Sequence, residues 1–455
     1  MTEMTTSSTA TKAERGLIDA FARSAPALPG SGWVERVRRD AIGAFETGGL
    51  PTRRSESYRY TDLRERISEA YEPATGGAAT SRTAAVSQQA IETALGPLAA
   101  LEAARLVFVD GAYQADLSRT DAFGDAVEQM PLAPLLKKAP GWLEGKFADD
   151  RLGAADAVMN LNTAFMSDGL MIKIKPGKAA PLPVLVVSVR AASEPNLVTT
   201  RNIVAMEPGS SMTLIETEIV LPGAASVASS NALTDVTVAD GASLTHVRCI
   251  EAGAKAQHLA TWIVKVGADA AYRAFQLSSG TGLVRNGLSV SLDGTGSQLD
   301  VSGAYIAGGS GHIDTTLVVD HKVPGCRSRE LFKGVLDGRA RGVFQGKIIV
   351  RPGAVKTDGK QMARALMLSP DAEFDSKPEL EIYADDVACG HGATAAEIDE
   401  DLLFYCTSRG IPAQQARRLL IEAFVAEAIE QIEDEAVREA IVDVARGWLQ
   451  REIAG

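Results

Sequence analysis

The sequence predicts a mainly β protein with flanking α: a right-handed parallel β-helix core between helical N- and C-terminal regions. Three observations lead there. Glycine turns recur through the middle of the chain, and each opens a strand with period-two alternation. No helix-length apolar periodicity interrupts them. Both ends of the chain switch to helical spacing.

The N-terminal region, residues 1–104, reads as mostly helical. Leu17, Ile18 and Phe21 fall at helical spacing, as do Val34, Val37, Ala41 and Phe45. Gly48-Gly49-Leu50-Pro51 supplies the stop, because glycine accepts a left-handed cap and proline cannot continue a helix. The stretch Pro73 to Ala85, rich in Ala, Gly, Thr and Ser, reads as a linker near 73–85. A helix from Val86 to about Ala104 follows, then a strand at Leu106–Val109 closed by the turn signal Asp110-Gly111.

Residues 105–396 read as β-rich, with the β-helix core from about Pro181. GSSMTLIE begins at Gly209, GASLTHVR at Gly241, GADAAYRA at Gly267 and GTGSQLDV at Gly294. Intervals of roughly 26 to 32 residues lie in the solenoid range. Stacked coils bury one face of every strand without crossover helices. A β-sandwich is the alternative from the same pattern. In residues 397–455 helices return: a short one from Glu400 ended at Gly410, and another after Pro412 with Leu419, Leu420, Ala423, Phe424 and Ile432 on one side. A last helix places Val437, Ile441, Val444 and Trp448 in one stripe. This stripe packs on its own domain or, in part, docks a partner.

Composition narrows the function. Net charge is −12 over 455 residues, which opposes nucleic-acid binding and anionic membranes. No apolar run approaches the roughly 20 residues of a membrane span, and MTEMTTSSTATKAERG lacks a signal-peptide pattern, so cytoplasm is the expected location. The four cysteines, Cys249, Cys326, Cys389 and Cys406, form no C-x-x-C pair, which argues against a zinc finger or a disulfide framework.

Catalytic patterns are sparse. GVFQGKI, Gly342 to Ile348, lacks P-loop spacing and reads as a strand. Asp385-Asp386 sit adjacent, so on a strand they face opposite ways and cannot share one bond. No G-x-S-x-G elbow is present. His246, His258, His312 and His321 are scattered, and His321 near Cys326 reads as turn-stabilising. Cys389 and His391 differ. Residues i and i+2 of a strand share a face, so thiolate and imidazole can converge on one ion between permissive glycines. A cluster held by protein alone takes four ligands, and the other cysteines are far off in sequence. The site is therefore expected to be transient or completed by a partner.

HKVPGCRSRELFKGVL, RGVFQGKIIVRPGAVKTDGKQMARALMLS, PELEIYADDVACGHGAT and LFYCTSRGI, in order between His321 and Ile411, resemble the C-terminal core of the SufB/SufD family of iron–sulphur cluster assembly proteins. GLPTRRSESYRYTDL, Gly49 to Leu63, is similar to its N-terminal element, with Tyr58 in place of the usual Trp; NTAFMSDG, Asn162 to Gly169, resembles another segment. CGHGAT, Cys389 to Thr394, favours the SufD type over the CxHEA of the SufB type.

The resemblance implies a non-catalytic scaffold subunit of a SufB–SufC–SufD complex. It implies a heterodimer with SufB through the β-helix core, near the Cys389–His391 strand. It implies C-terminal helices that dock SufC, an ABC-type ATPase. His391 is then the first candidate iron or cluster ligand and Cys389 the second. Arg327, Lys360 and Gln361 sit in matching motifs and are assigned to structure. No permanently bound cofactor is implied; a transient iron–sulphur cluster shared with SufB is, and a flavin in the complex is compatible. A homodimer of the isolated chain fits an exposed core edge. The alternative is a purely structural partner of SufB and SufC without a ligand role.

Overall fold

The computed structural model describes residues 10–74, 86–147 and 156–452. Residues 75–85 of the expected linker lie outside them.

The core is a parallel β-solenoid of about eight turns. Its strands alternate between two sheets. The ten-stranded sheet runs, in spatial order, Ala388–Ala396, Asp358–Met367, Arg327–Leu336, Gln298–Ala307, Ala271–Gly280, Ser243–Ala252, Ser211–Val220, Val184–Arg190, Ala104–Val109 and Ala112–Tyr113. The nine-stranded sheet runs Glu373–Ile382, Arg341–Val350, His312–His321, Leu283–Leu292, Gln257–Val266, Ser229–Val238, Leu197–Met206, Leu170–Ile174 and Val127–Pro131. From Val184 to Ala396 every in-sheet neighbour is parallel. That excludes the β-sandwich, whose sheets are antiparallel.

The repeat seen in the sequence marks one sheet only. Its segments open the strands starting at Ser211, Ser243, Ala271 and Gln298, all in the ten-stranded sheet. Within the third and fourth repeats, the left-handed turn positions are Asp269 and Gly296, not the Gly267 and Gly294 that open them.

Alternate side chains fill the space between the sheets. Met212, Leu214, Leu244, Trp262, Tyr272, Leu288, Val301, Phe332 and Phe344 belong to this single core. Each fully buried aliphatic or aromatic side chain contributes about 1.5–3 kcal/mol. Phe332 and Phe344 meet across the two sheets with ring centroids 4.7 Å apart.

The N-terminal region covers the outer face of the nine-stranded sheet. Helices Lys12–Ser24 and Trp33–Gly48 bury Leu17, Phe21, Ala41 and Phe45 with Leu197, Leu259 and Leu283 of that sheet. Val37 is only half-buried; the neighbouring Arg38 turns inward and donates to the Ala164 and Met166 carbonyls, each at 2.7 Å. The segment around Tyr58 is a clamp. Tyr58 donates to Asp156 Oδ2 at 2.8 Å, the Arg285 guanidinium lies 3.9 Å from its ring centroid, and Arg285 pairs with Asp314 at 2.5 Å. Asn162 donates to the Thr200 and Asn231 carbonyls, each at 3.0 Å.

The C-terminal helices Ala413–Ile429 and Glu435–Glu452 pack on the outer face of the ten-stranded sheet. Lys333, on that face, pairs with Glu427 and sits 4.3 Å from the Phe424 ring. Val437, Ile441, Val444 and Trp448 are buried as their spacing indicated. In the preceding helix the buried face is Ile421, Val425, Ala428 and Ile429, and Leu419 is exposed. The helix expected from Val86 to Ala104 is shorter: it spans Gln88–Leu95 and gives way to a 3-10 turn, because Gly96 is left-handed and Pro97 follows.

Candidate functional site

Among the described residues no element caps the C-terminal end of the solenoid. Ala388–Ala396 and Glu373–Ile382 are the edge strands of the two sheets, and each has a partner on one side only. An edge strand presents unpaired N–H and C=O groups to another chain. Here both edges are free, with Ile382 and Tyr383 exposed beside them.

Cys389 and His391 lie on the first of these strands. Two residues apart on an extended chain, they share a face about 7 Å apart along it. That face looks inward, since Cys389 packs against the inter-sheet core. No further coil covers it, so Cys389 is half-buried and His391 is exposed. Burial pushes the Cys389 thiol up; the Gly359 backbone N–H opposes this, and Asp358 and Glu330 add to it. Neither Gly390 nor Gly392 adopts a left-handed φ, so unusual backbone angles are not their contribution. A side chain at Gly390 would meet nothing within 4 Å, so the strand's outer side is open there.

A cleft of about 740 Å³ lies at this end, lined by Cys389, His391, Arg329, Lys360, Met362 and Gln431 among others. Arg329 is committed elsewhere: it donates to the Ser328 and Asp358 carbonyls at 2.8 and 2.9 Å and pairs with the Asp358 carboxylate. Arg327 lies 3.6 Å from Asp300.

The remaining cysteines and histidines do not join the pair. Cys249 is buried, and burial raises its thiol to about 12. Cys326 is buried and accepts from Ser297 Oγ at 3.1 Å. His321 does not meet Cys326; its Nε2 lies 3.0 Å from Ser328 Oγ, and burial lowers it to about 4. His312 is bonded to Thr61 at 2.8 Å, and His258 to Ser230 at 2.7 Å. Cys406 is half-buried on helix Glu400–Ser408. Among the described residues no three His, Cys, Asp or Glu side chains are placed to hold a metal ion. Gly342 to Ile348 runs inside strand Arg341–Val350, which rules out a phosphate-cradling loop. Asp385-Asp386 lie in the turn after Ile382, with Asp386 left-handed.

Sequence reasoning passed over one residue here. The in-register ladder aligns His391 with Gln361, and Gln361 with Glu330. Glu330 is only 3% exposed and faces the interior with Ser328 and Phe332. The signal was parity: in RSRELF, Glu330 is two residues before Phe332.

Comparison with known proteins decides the family. The SUF system FeS cluster assembly, SufBD core domain, matches residues 189–424, and the SufBD protein N-terminal region matches residues 12–186. The chain belongs to the SufB/SufD family. It is 31% identical over 402 residues to the iron-sulfur cluster assembly protein SufD of Escherichia coli, covering 87% of this chain and 88% of that one. A SufBD family protein of Synechocystis is 28% identical over 406 residues, 86% and 85% of the two chains. The SufD of Bacillus subtilis is 30% identical over 293 residues, 62% and 65%. Membership places the chain in SUF iron–sulphur cluster assembly and, within the SufB/SufD family, with SufD. The core match contains both uncapped edge strands, Cys389 and His391. No helix among the described residues is long and apolar enough to cross a membrane.

Proposed function

We propose that this chain is a scaffold subunit that joins SufB through its uncapped solenoid end and offers His391 and Cys389 to an iron–sulphur cluster built there. The observation that carries this is the placement of a thiol and an imidazole on one face of an edge strand, with no third candidate ligand beside them among the described residues. The cluster is cargo. An edge strand recruits a partner by backbone pairing, and that partner brings further ligands to the same interface. Imidazole and thiolate are natural iron ligands. His391 is exposed and Cys389 half-buried, which supports His391 as the first contact and Cys389 as the second.

Helix Glu400–Ser408 supports the second half of the proposal. It leaves Leu402, Phe404 and Tyr405 exposed, Phe404 by 72%. An apolar cluster of this kind beside the last coil suits docking of the ATPase subunit SufC. The chain itself has no nucleotide-binding loop to power the work.

The test is reconstitution of the SufB–SufC–SufD complex with His391→Ala, with cluster yield followed by visible absorbance. Yield should fall severalfold. Unchanged yield removes His391 from the mechanism. The missing third ligand also favours a second reading, a purely structural partner; under it, Cys389→Ser with His391→Ala still assembles clusters in full. Phe404→Ala with Tyr405→Ala should weaken SufC capture at least tenfold, and undiminished capture rejects that docking face.

A further inference from the structure

We propose that the Glu330 carboxylate and the Gln361 amide oxygen form an inner divalent-cation site, on the two strands next to His391 inside the open end of the solenoid. The ladder puts the three residues in one interior column: His391 on the edge strand, Gln361 on the next, Glu330 on the third. Adjacent strands are about 4.8 Å apart, so the column descends about 10 Å from the mouth.

Two features single this column out. Glu330 is buried, and neither carboxylate oxygen has a hydrogen-bond partner. Ser328 lowers the proton affinity of the carboxyl, and its Oγ also lies 3.0 Å from His321 Nε2. Gln361 is 3% exposed; its Nε2 donates to the Gly346 carbonyl at 3.3 Å, and its Oε1 has no partner. Three unpartnered oxygen atoms therefore sit on neighbouring rungs. The buried carboxylate Glu216, by contrast, is bonded through both oxygens.

An unpaired buried carboxylate is costly, and a cation offsets that cost. The nearby cations line the same cleft, yet among the described residues none forms an ion pair with Glu330. Arg329 and Lys360 adjoin Glu330 and Gln361 in sequence and so face the opposite side of the sheet, and Arg329 is held by Asp358. Carboxylate, amide carbonyl and water are hard donors that suit manganese-like divalent ions and leave sites for water. Cys389 and His391, softer donors, stand at the mouth through which an ion enters. That the natural occupant is ferrous iron waiting for assembly rests on the proposed scaffold role; the site itself does not.

The experiment is a titration of the isolated full-length chain with Mn²⁺, read as loss of the free-ion EPR signal, with ferrous iron added anaerobically as competitor. The wild type should bind one ion. Glu330→Gln should weaken binding at least tenfold, and Gln361→Leu severalfold. Cys389→Ser with His391→Ala should leave Mn²⁺ binding within twofold. Circular dichroism checks that each variant is folded; Glu330→Gln replaces a carboxyl whose charged form burial disfavours with a neutral amide of the same shape and folds at least as well as the parent. No Mn²⁺ binding by the wild type overturns the site, as does equal binding by Glu330→Gln. Loss only in the double variant assigns the ion to the mouth and also overturns it. If cluster yield survives His391→Ala while Glu330→Gln still loses the ion, the scaffold ligand role fails and the inner site stands.

Discussion

Two glutamates point into the same solenoid and meet opposite surroundings. Glu216, in the middle coils, accepts from Asn202 at 2.9 Å and Thr234 at 2.7 Å through one oxygen. Its other oxygen accepts from Trp262 Nε1 at 3.1 Å and lies 3.2 Å from His246 Nε2. His246 in turn stacks on Trp262 at 3.9 Å and lies 3.0 Å from the Tyr272 hydroxyl. Burial alone would raise Glu216; His246, Arg248 and the Thr234 hydroxyl overcome it and hold the carboxyl far below its ordinary value. Glu330, in the third coil strand from the open end, has no such shell, and burial pushes it up to about 8, with Ser328 and Arg329 opposing and Asp300 assisting. A closed polar network specifies structure; an open one is available for a ligand.

The largest expected effect follows from breaking the closed network. Glu216→Ala strands the Asn202, Thr234 and Trp262 donors and removes one of the two carboxylates, Glu216 and Glu218, that face the buried Arg248. It should cost about 3–5 kcal/mol in urea unfolding. A loss below about 1 kcal/mol would erase the distinction between the two glutamates. The same network sets an acid limit. Because the folded carboxyl is depressed, its contribution is fully present above the unfolded value near 4.5 and is lost as pH falls below it. Glu216→Gln should therefore flatten the decline of stability below pH 4.5, measured by unfolding at stepped pH.

Two glycines sharpen the comparison at the level of packing. A Cβ at Gly280 would sit 2.1 Å from the Ala252 carbonyl oxygen, and φ there is +119°. A Cβ at Gly346 would sit 2.1 Å from Gln361 Oε1, the end of a flexible side chain. Gly280→Ala should cost about 3 kcal/mol and Gly346→Ala about 1 kcal/mol, because backbone cannot yield and an amide can. Equal costs would mean that Gln361 is locked, contrary to a site that admits an ion.

How far the sequence carried this picture depends on what register requires. The coils were legible because each starts with a turn that needs a left-handed residue and continues with strict alternation. Cys389 and His391 were legible because their relation is local to one strand. The stacking of Glu330 under Gln361 and His391 was not. It depends on coils that start between 27 and 32 residues apart (Ala271 to Gln298, Ser211 to Ser243), and one residue of slip would turn the column outward. The Glu216 network draws on six strands of both sheets, with Asn202, Thr234 and Trp262 from the sheet opposite, so no local spacing announced it. Tyr58 and Asn162 were recognised in motifs, yet only the fold shows them docking the N-terminal region on the solenoid.

The smallest stability effect belongs to the residue assigned the largest functional one. His391 is exposed on an edge strand and makes no hydrogen bond among the described residues that would be lost on truncation. His391→Ala should shift the unfolding free energy by less than about 0.5 kcal/mol, in the range of surface substitutions away from special features. Glu330→Gln should be neutral or stabilising, since it replaces an unpartnered carboxyl with an amide of the same shape. At this end of the solenoid, His391 and Glu330, whose polar atoms add little to folding, stand in one column facing an edge strand. A drop in stability of more than about 2 kcal/mol for His391→Ala would show the edge strand to be part of the folding core, and lost cluster yield in that variant would then report unfolding instead of a missing ligand.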